Sequence, residues 1–257
     1  MNKKIYLTII WIITLFAIIA GVVWHFRING AKSGGDSTIS STMDFSDQEI
    51  SNLDIDSDIS NVSISNGDKC SVYYECPENL VPDISIDGDT LVVTGPKTSR
   101  FSFGDADSHY YMEITIPQNV TLSDIDIEAD YGNIELKDIS CDSLSIEADA
   151  GGIDADSIKA SEVKISADLG GVEFDNSNFD YIEIEADAGN ISLDNCDFVS
   201  GHITADAGNI NVNGEFEELG AYCDLGNITV NTESDPDNIE LDLKSDIGNV
   251  QVNGSKW

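Results

Sequence analysis

Seven aspartates recur at a nearly constant spacing along the second half of the chain. They are Asp130, Asp149, Asp168, Asp187, Asp206, Asp224 and Asp246, separated by 19, 19, 19, 19, 18 and 22 residues. Carboxylate oxygens are ligands that Ca²⁺ prefers, so a stack of these side chains could hold Ca²⁺ or another divalent cation. The alternative is that each carboxylate accepts a hydrogen bond from a turn N–H and is otherwise solvated. Both alternatives stay open, although the residues around each aspartate do not follow the order of the nonapeptide calcium repeats.

A glycine follows each aspartate by two residues. These glycines are Gly132, Gly151, Gly170, Gly189, Gly208, Gly226 and Gly248. Because glycine accepts a positive φ, we predict that they are structural turn residues at a corner of the chain. Asparagine often comes next, at Asn133, Asn190, Asn209, Asn227 and Asn249. If the corners stack, these asparagines should form an amide ladder.

Apolar and polar residues alternate on both sides of each aspartate, with the period of β-strands and not of helices. A short strand follows the glycine, as in Ile191 and Leu193 on either side of an outward Ser192. A second strand precedes the aspartate, as in Ile182 and Ile184. Two strands and two turns that repeat about every 19 residues predict an all-β fold, a parallel β-solenoid with about 19 residues per coil.

Residues 45–120 are rich in strands but lack the regular period. The stretch "SDISNVSI" is a degenerate copy of the corner, with Ser60 in the place of the glycine. "SNGD" (65–68) and "DGD" (87–89) are typical of β-hairpin turns. Because an exposed sheet edge invites aggregation, we expect this region to form a β-hairpin cap on the repeat solenoid of residues 121–257.

The N-terminus carries a long apolar stretch. Residues 5–26, "IYLTIIWIITLFAIIAGVVWHF", contain no Asp, Glu, Lys or Arg. A helix of this length, at about 1.5 Å per residue, crosses a ~30 Å hydrocarbon core. We predict one transmembrane helix from Ile5 to Phe26, a short cytoplasmic tail at residues 1–4 and a flexible, Gly- and Ser-rich linker at residues 27–44. A cleavable signal peptide is the alternative, but its apolar region is usually only about 7–15 residues long.

The chain is strongly acidic beyond the predicted anchor. Residues 33–257 contain all 48 acidic residues and only eight of the 12 basic residues. Such a surface repels nucleic-acid phosphates and anionic lipid headgroups, which excludes nucleic-acid binding and membrane attachment through basic patches. Cations or cationic partners are the expected counterparts, and an anchor ahead of an acidic domain predicts a single-pass cell-membrane protein with an extracytoplasmic C-terminal domain.

The sequence predicts no enzyme, no catalytic residue and no cofactor apart from the calcium considered above. It contains no nucleophile elbow, H-E-x-x-H, C-x-x-C or P-loop motif. His25 lies in the predicted span, His109 lies in or beside a predicted loop at residues 97–109, and His202 takes an outward strand position. A parallel solenoid can host a glycosidase or lyase, but the acids here recur in every coil, which indicates an architectural role.

The five cysteines allow few disulfide bridges. Cys141, Cys196 and Cys223 fall on inward or corner positions of the repeat, where we expect free thiols in the core. A predicted strand separates Cys70 from Cys76 by roughly 20 Å, whereas a bridge needs Cα atoms within about 7 Å. A Cys70–Cys76 bridge would therefore require that strand to bend.

The corner phrase "ADAGNI", the stretch "MEITIPQNVTLSDIDIEADYGNIEL" and the single N-terminal span together resemble the putative-adhesin β-strand-repeat family of mainly Gram-positive bacteria. The resemblance covers roughly residues 50–254. It implies a membrane-anchored or exported β-solenoid of unknown function without known catalytic residues, and some members of the family accompany envelope-stress sensing systems.

These observations predict a non-enzymatic, membrane-anchored β-solenoid that serves as an adhesin-like binding or display module of the bacterial cell envelope. One alternative is an accessory regulator or sensor of an envelope-stress system, whose transmembrane helix binds a membrane protein partner. Another is a glycan-active β-helix enzyme.

Overall fold

The computed structural model describes residues 38–96, 110–234 and 239–257. The predicted tail, transmembrane helix and loop at residues 97–109 lie outside these ranges, as do the linker up to residue 37, His25 and His109. Within the described ranges, no helix is long and apolar enough to cross a membrane. All the regular elements of these ranges are β-strands, which confirms the predicted all-β class.

Seven strands precede the repeats: β1 (Thr38–Asp44), β2 (Asn52–Ser57), β3 (Asn61–Gly67), β4 (Ser71–Pro77), β5 (Asp83–Asp87), β6 (Thr90–Thr94) and β7 (Tyr111–Pro117). The long strands of the repeats are β8 (Leu122–Tyr131), β10 (Ser140–Ala150), β12 (Lys159–Leu169), β14 (Asn178–Ala188), β16 (Asp197–Ala207), β18 (Phe216–Leu225) and β20 (Glu240–Ile247). The short strands are β9 (Ile134–Lys137), β11 (Ile153–Asp156), β13 (Val172–Asp175), β15 (Ile191–Asp194), β17 (Ile210–Asn213), β19 (Ile228–Asn231) and β21 (Val250–Val252), and β22 (Ser255–Lys256) ends the chain.

The repeats wind into seven consecutive coils, each made of one long and one short strand. The short strands belong to a 12-stranded sheet, named sheet A here, and the long strands belong to a 10-stranded sheet, named sheet B. Successive coils pair in parallel with matched register, so that Ile146 lies beside Ile165 and Ile153 lies beside Val172. The predicted parallel β-solenoid with about 19 residues per coil is confirmed.

The inward side chains of the two sheets form one continuous apolar column. Ile184 and Leu193 are fully buried, and the ring of Phe174 meets the ring of Phe179 edge-on, with centroids 5.4 Å apart. A single coil cannot bury its inward face alone, because the residues that cover it belong to the coils above and below. The column therefore holds the corners and the outward side chains at fixed positions along the stack.

One coil near the N-terminal end is built out of sequence order. Strand β6 pairs in parallel with β2, and β7 pairs in parallel with β3, so β6 and β7 form a coil beneath the one formed by β2 and β3. The coil of β2 and β3 in turn pairs with β8 and β9. Ser60 takes the glycine position at its corner, as predicted. Its carbonyl oxygen lies 2.1 Å from a Cβ built on Gly132, and the carbonyl oxygen of Gly132 in turn lies 1.8 Å from a Cβ built on Gly151.

Only one of the two predicted hairpins is present. Strands β5 and β6 pair antiparallel around Gly88, which has a φ of 67°. The hairpin predicted between β3 and β4 is wrong, because β7 lies between these strands and pairs with both. The connection at residues 68–70 has to cross two strand spacings, or about 9.6 Å, which a few extended residues span easily.

The folded region begins earlier than the predicted linker boundary. Residues 38–44, placed in the linker by their composition, form β1, which pairs antiparallel with β4 along its whole length. Ile39 and two threonines give this segment the β-branched side chains that favour strands. Its serines are typical of flexible linkers and led to the linker prediction. Asp44, at the end of β1, also forms an ion pair with Lys69.

Candidate functional site

Each coil turns at two corners that use different chemistry. The first corner joins a long strand to the next short strand and contains the repeated aspartate and glycine. A Cβ on Gly170 would lie 1.7 Å from the carbonyl oxygen of Gly151, and the corresponding distances at the seven corner glycines are 1.6–2.1 Å. Any side chain here would collide with the backbone of the preceding coil. This close approach is common to all seven, whereas a positive φ occurs only at Gly132, Gly151, Gly170 and Gly226.

The asparagine that follows the corner glycine bonds to its counterpart in the preceding coil. Asn209 donates its backbone N–H to Oδ1 of Asn190 at 2.9 Å, and its Nδ2 donates to the same oxygen at 3.1 Å. Asn227 and Asn249 repeat this pattern, with 3.0 Å for each backbone N–H. The predicted amide ladder is therefore present along these coils.

The corner aspartates point into solvent. All seven are exposed and occupy the next-to-last position of a long strand. Among the described residues, no turn N–H donates to the carboxylate of Asp168 or Asp187; the N–H groups of the corner glycines Gly170 and Gly189 donate instead to backbone carbonyl oxygens of the next coil. The predicted turn bond is wrong for these two aspartates. Asp246 instead forms an ion pair with Lys244 at 2.7 Å.

A divalent-cation site at these aspartates stays a prediction. Stacked coils place neighbouring carboxylates about 4.8 Å apart. The pKa of Asp206 is raised, first by partial desolvation and then by the charges of Asp187 and Asp224. A bound cation would relieve this repulsion. In residues 38–96, 110–234 and 239–257, however, no three His, Cys, Asp or Glu side chains converge closely enough to hold a metal ion.

The sequence analysis predicted a second turn in each coil but did not identify the residues of this second corner, which lies between a short strand and the next long strand. Asp138, Ser157, Asn176 and Asn195 adopt φ values of 53–61° there. Asparagine and aspartate tolerate this left-handed conformation better than most residues. Nδ2 of Asn195 donates to Oδ1 of Asn176 at 2.8 Å, and Nδ2 of Asn176 donates to Oδ1 of Asp156 at 2.9 Å. A polar residue directly after most of the short strands was the signal that could have revealed this corner.

The outward face of sheet B is most acidic near its N-terminal end. We call Asp54, Asp56, Asp126, Glu128 and Glu147 the acidic face. Asp54 pairs in register with Asp126, and Asp56 pairs with Glu128. Glu128 in turn lies beside Glu147. Partial desolvation, followed by the charges of Asp56 and Glu147, raises the pKa of Glu128.

Further toward its C-terminal end, the same face carries aromatic side chains and charges of both signs. The ring of His202 lies 5.4 Å from that of Tyr222, whose hydroxyl donates to a carboxylate oxygen of Asp242. Lys164 forms an ion pair with Glu162 at 2.6 Å. His202 thus takes the outward position predicted from the sequence and packs against an aromatic ring.

The five cysteines are buried and unpaired. Cys141 lies in register with Ala160 in the core, as predicted. Burial raises the pKa of Cys141 and of Cys196 to about 12. Cys70 and Cys76 form no bridge, because β4 runs extended between them. Buried thiols with raised pKa values are poor nucleophiles and metal ligands.

A trough of about 600 Å³ lies on the outward face of sheet A. Its wall carries three carboxylates that are in register on β9, β11 and β13, namely Glu135, Asp154 and Glu173. At the end of the trough next to the first corner, Gly152 and Gly171 occupy the position at which other coils have the ladder asparagine. The sequence analysis did not predict this trough.

Fold and surface together define a repeat-built β-solenoid with an exposed acidic surface and a polar trough. A family model matches residues 50–256, and the chain belongs to that family, which is described as Toastrack DUF4097. The predicted resemblance to a family of adhesin-type β-strand repeats is confirmed.

Two solved structures share the fold at low sequence identity. One, from Bacteroides fragilis NCTC 9343, is named a putative adhesin, with a TM-score of 0.62 and 16% identity over 85% of this chain and 98% of that one. Another, from Parabacteroides distasonis ATCC 8503, is also named a putative adhesin, with a TM-score of 0.51 and 13% identity over 85% of this chain and 97% of that one. No curated protein matches this chain.

Proposed function

We propose that this protein is a non-enzymatic binding module of the cell envelope that presents its acidic face to a cationic partner. The observation that carries the proposal is the register of that face, where Asp54 lies beside Asp126 and Glu128 lies between Asp56 and Glu147. Carboxylates held side by side repel each other, and a cationic partner relieves that repulsion when it binds.

The architecture suits display better than catalysis. Stacked coils make a rigid scaffold, and an outward surface that repeats along the stack supplies many weak contacts whose effects combine. The thiols are buried, and His202 packs against Tyr222. The two structural neighbours are each named a putative adhesin, which supports a binding role.

The location is part of the proposal. The predicted span at residues 5–26 would hold the solenoid at the outer side of the cell membrane, where cationic segments of envelope proteins can reach the acidic face.

The proposal is tested by neutralising the acidic face in the full-length chain with Asp54→Asn, Asp126→Asn and Glu128→Gln. Binding to polylysine is measured by biolayer interferometry over a range of salt concentrations. Exposed ion pairs contribute about 0.5 kcal/mol each, so three losses should weaken binding about tenfold and flatten its salt dependence.

A matched control neutralises three exposed acids outside the acidic face, with Asp142→Asn, Asp180→Asn and Glu217→Gln. This variant has the same net charge as the test variant. Equal weakening by both variants would show that only net charge matters, and the acidic face would lose its proposed role.

A second experiment separates display from signalling through the anchor. Residues 5–26 are replaced by an unrelated transmembrane helix, and surface exposure of the solenoid and polylysine binding by whole cells are measured. Display predicts that both survive the exchange. Loss of binding with unchanged exposure would favour the alternative of an accessory regulator whose helix binds a membrane protein.

A further inference from the structure

The amide ladder at the first corner is interrupted over two neighbouring coils. Elsewhere, a backbone N–H donates to the asparagine Oδ1 of the coil before it, as Asn133 does to Asn61 at 2.8 Å and Asn209 does to Asn190 at 2.9 Å. Gly152 and Gly171 occupy the asparagine position in the two coils between them. Two successive coils therefore lack the side-chain amide that would accept the next N–H.

The interruption leaves two backbone donors without their ladder acceptor. Gly152 still donates to Oδ1 of Asn133 at 2.9 Å. The next N–H groups, those of Gly171 and Asn190, have no acceptor among the described residues. They lie one coil apart, about 4.8 Å, and they share the orientation of the ladder donors.

The gap is open, and the backbone does not require glycine there. A Cβ on Gly152 would lie 3.6 Å from Oδ1 of Asn133, and one on Gly171 would lie 3.5 Å from the carbonyl oxygen of Asn190. Both are ordinary contacts, in contrast to the 1.7 Å at the adjacent corner residue Gly170. The gap opens into the trough of about 600 Å³, which lies within the usual range for small-ligand sites.

The chemistry of the gap favours an amide. In the intact ladder, Oδ1 of Asn190 accepts both the backbone N–H and Nδ2 of Asn209, so each rung needs one acceptor and one donor. A carboxylate has no donor, and the carboxylates of Glu135 and Asp154 beside the gap would repel it. An ammonium group has no acceptor for the free N–H groups.

We propose that this gap binds the acetamido group of an N-acetylated amino sugar. The acetamido oxygen accepts from the N–H of Gly171, and its N–H donates to Oδ1 of Asn133, which has a second lone pair available. The sugar hydroxyls donate to Glu135, Asp154 and Glu173 along the trough wall. This inference goes beyond the proposed function, because it adds a second ligand at a separate site on sheet A.

A sugar fits the trough better than an asparagine-bearing peptide does. An extended peptide gains most of its affinity by pairing with a free sheet edge, and the trough lies on the face of sheet A, between strands that already pair on both sides. Sugar hydroxyls need no sheet edge and match a wall of carboxylate acceptors.

The test uses the full-length chain labelled with ¹⁵N and titrated with N,N′-diacetylchitobiose. We expect saturable shifts of the Gly171 and Asn190 amide resonances. Cellobiose lacks the acetamido group and should bind at least about tenfold more weakly, as expected for the loss of a hydrogen-bonded group. Equal binding of cellobiose, or tighter binding of the deacetylated, cationic chitobiose, would overturn the role of the amide.

A repair variant, Gly152→Asn with Gly171→Asn, fills the gap with the chain's own amides. We expect it to abolish the shifts while the unfolding midpoint stays equal or rises. The control, Asp180→Asn with Glu217→Asn, adds two asparagines elsewhere and should bind as the unchanged chain does. Undiminished binding by the repair variant would overturn the site.

Two further outcomes separate this inference from the proposed function. Binding of N-acetyl-asparagine amide in the gap without binding of diacetylchitobiose would overturn the sugar assignment. If no amide ligand binds while polylysine still binds the acidic face, the inference fails and the proposed function stands. Loss of polylysine binding alone would contradict the proposed function and leave the gap as an independent site.

Discussion

The two corners of each coil make opposite demands on the chain. At the first corner, the backbone of one coil passes so close to the next that a Cβ on Gly189 would lie 1.6 Å from the carbonyl oxygen of Gly170. At the second corner, the chain turns through a left-handed residue, such as Asn176 with a φ of 53°, that has room for a side chain. In the seven repeat coils, the first demand is steric and admits only glycine, whereas the second is a conformational preference that several polar residues meet.

A shortened coil supports this distinction. The spacing between Asp206 and Asp224 is 18 residues and not 19, and the second corner of this region contains Gly214. A Cβ on Gly214 would lie 1.7 Å from the carbonyl oxygen of Cys196. When the second corner loses a residue, the backbones approach as closely as at the first corner, and glycine replaces the polar residue.

The largest expected effect is that of a methyl group at the first corner. Gly170→Ala should lower the free energy of unfolding by at least about 3 kcal/mol, because its Cβ would meet backbone that can move only if two coils separate. Gly171→Ala is the matched control and should lie within about 1 kcal/mol of the unchanged chain, in the stabilising direction. Urea denaturation followed by circular dichroism measures both, and similar midpoints for the two variants would refute the steric account.

Loss of one ladder amide should rank second. Asn209→Ala removes the acceptor for the backbone N–H of Asn227 and the donor to Asn190, and we expect a loss of about 1–3 kcal/mol. Asn211, two residues further along, is exposed on the outward side of β17, so Asn211→Ala serves as the control and should cost less than about 0.5 kcal/mol. Equal losses would mean that the ladder adds nothing beyond strand propensity.

The second corner should tolerate more. Asn195→Ala forces alanine to a φ of 54° and removes the bond to Asn176, so we expect a loss of about 1–2 kcal/mol. Asn195→Gly keeps the favourable backbone and loses only the bond, and should cost about 1 kcal/mol or less. If the glycine variant is the less stable of the two, the side-chain bond and not the conformation holds this corner.

The smallest expected effect concerns charge at the first corner. Because the pKa of Asp206 is raised in the folded chain, its protonated form contributes stability below the ordinary aspartate pKa, and that contribution is lost as pH rises through the folded value. Asp206→Asn should therefore raise the unfolding midpoint slightly at neutral pH and leave it unchanged at low pH. Added salt should shrink the difference, and a midpoint that falls at neutral pH would show that the carboxylate is stabilising, as a bound cation would make it.

Much of the first corner could be predicted from the sequence. The glycines, the ladder at Asn190 and Asn209 and the inward columns all follow from a short phrase repeated at a constant period. The coil of β6 and β7 could not be predicted, because it lacks the phrase and its strands are separated by a long insertion. The interruption at Gly152 and Gly171 was visible in the sequence, but its consequence depends on which N–H groups the neighbouring coils bring to that point.

The sequence by itself determined the coil. A repeat of about 19 residues with alternating apolar side chains buries those side chains when each repeat forms two strands and two turns and the repeats stack in parallel. The sequence also determined the acidic character of the surface, because the charges occupy positions that cannot point inward. Only the tertiary structure decided that β7 separates β3 from β4, that the corner aspartates face solvent while asparagines bond along the stack, and that two glycines leave N–H donors without an acceptor among the described residues, beside three carboxylates. These features depend on contacts between residues that are distant in the chain, and local propensity does not distinguish among the partners that such contacts allow.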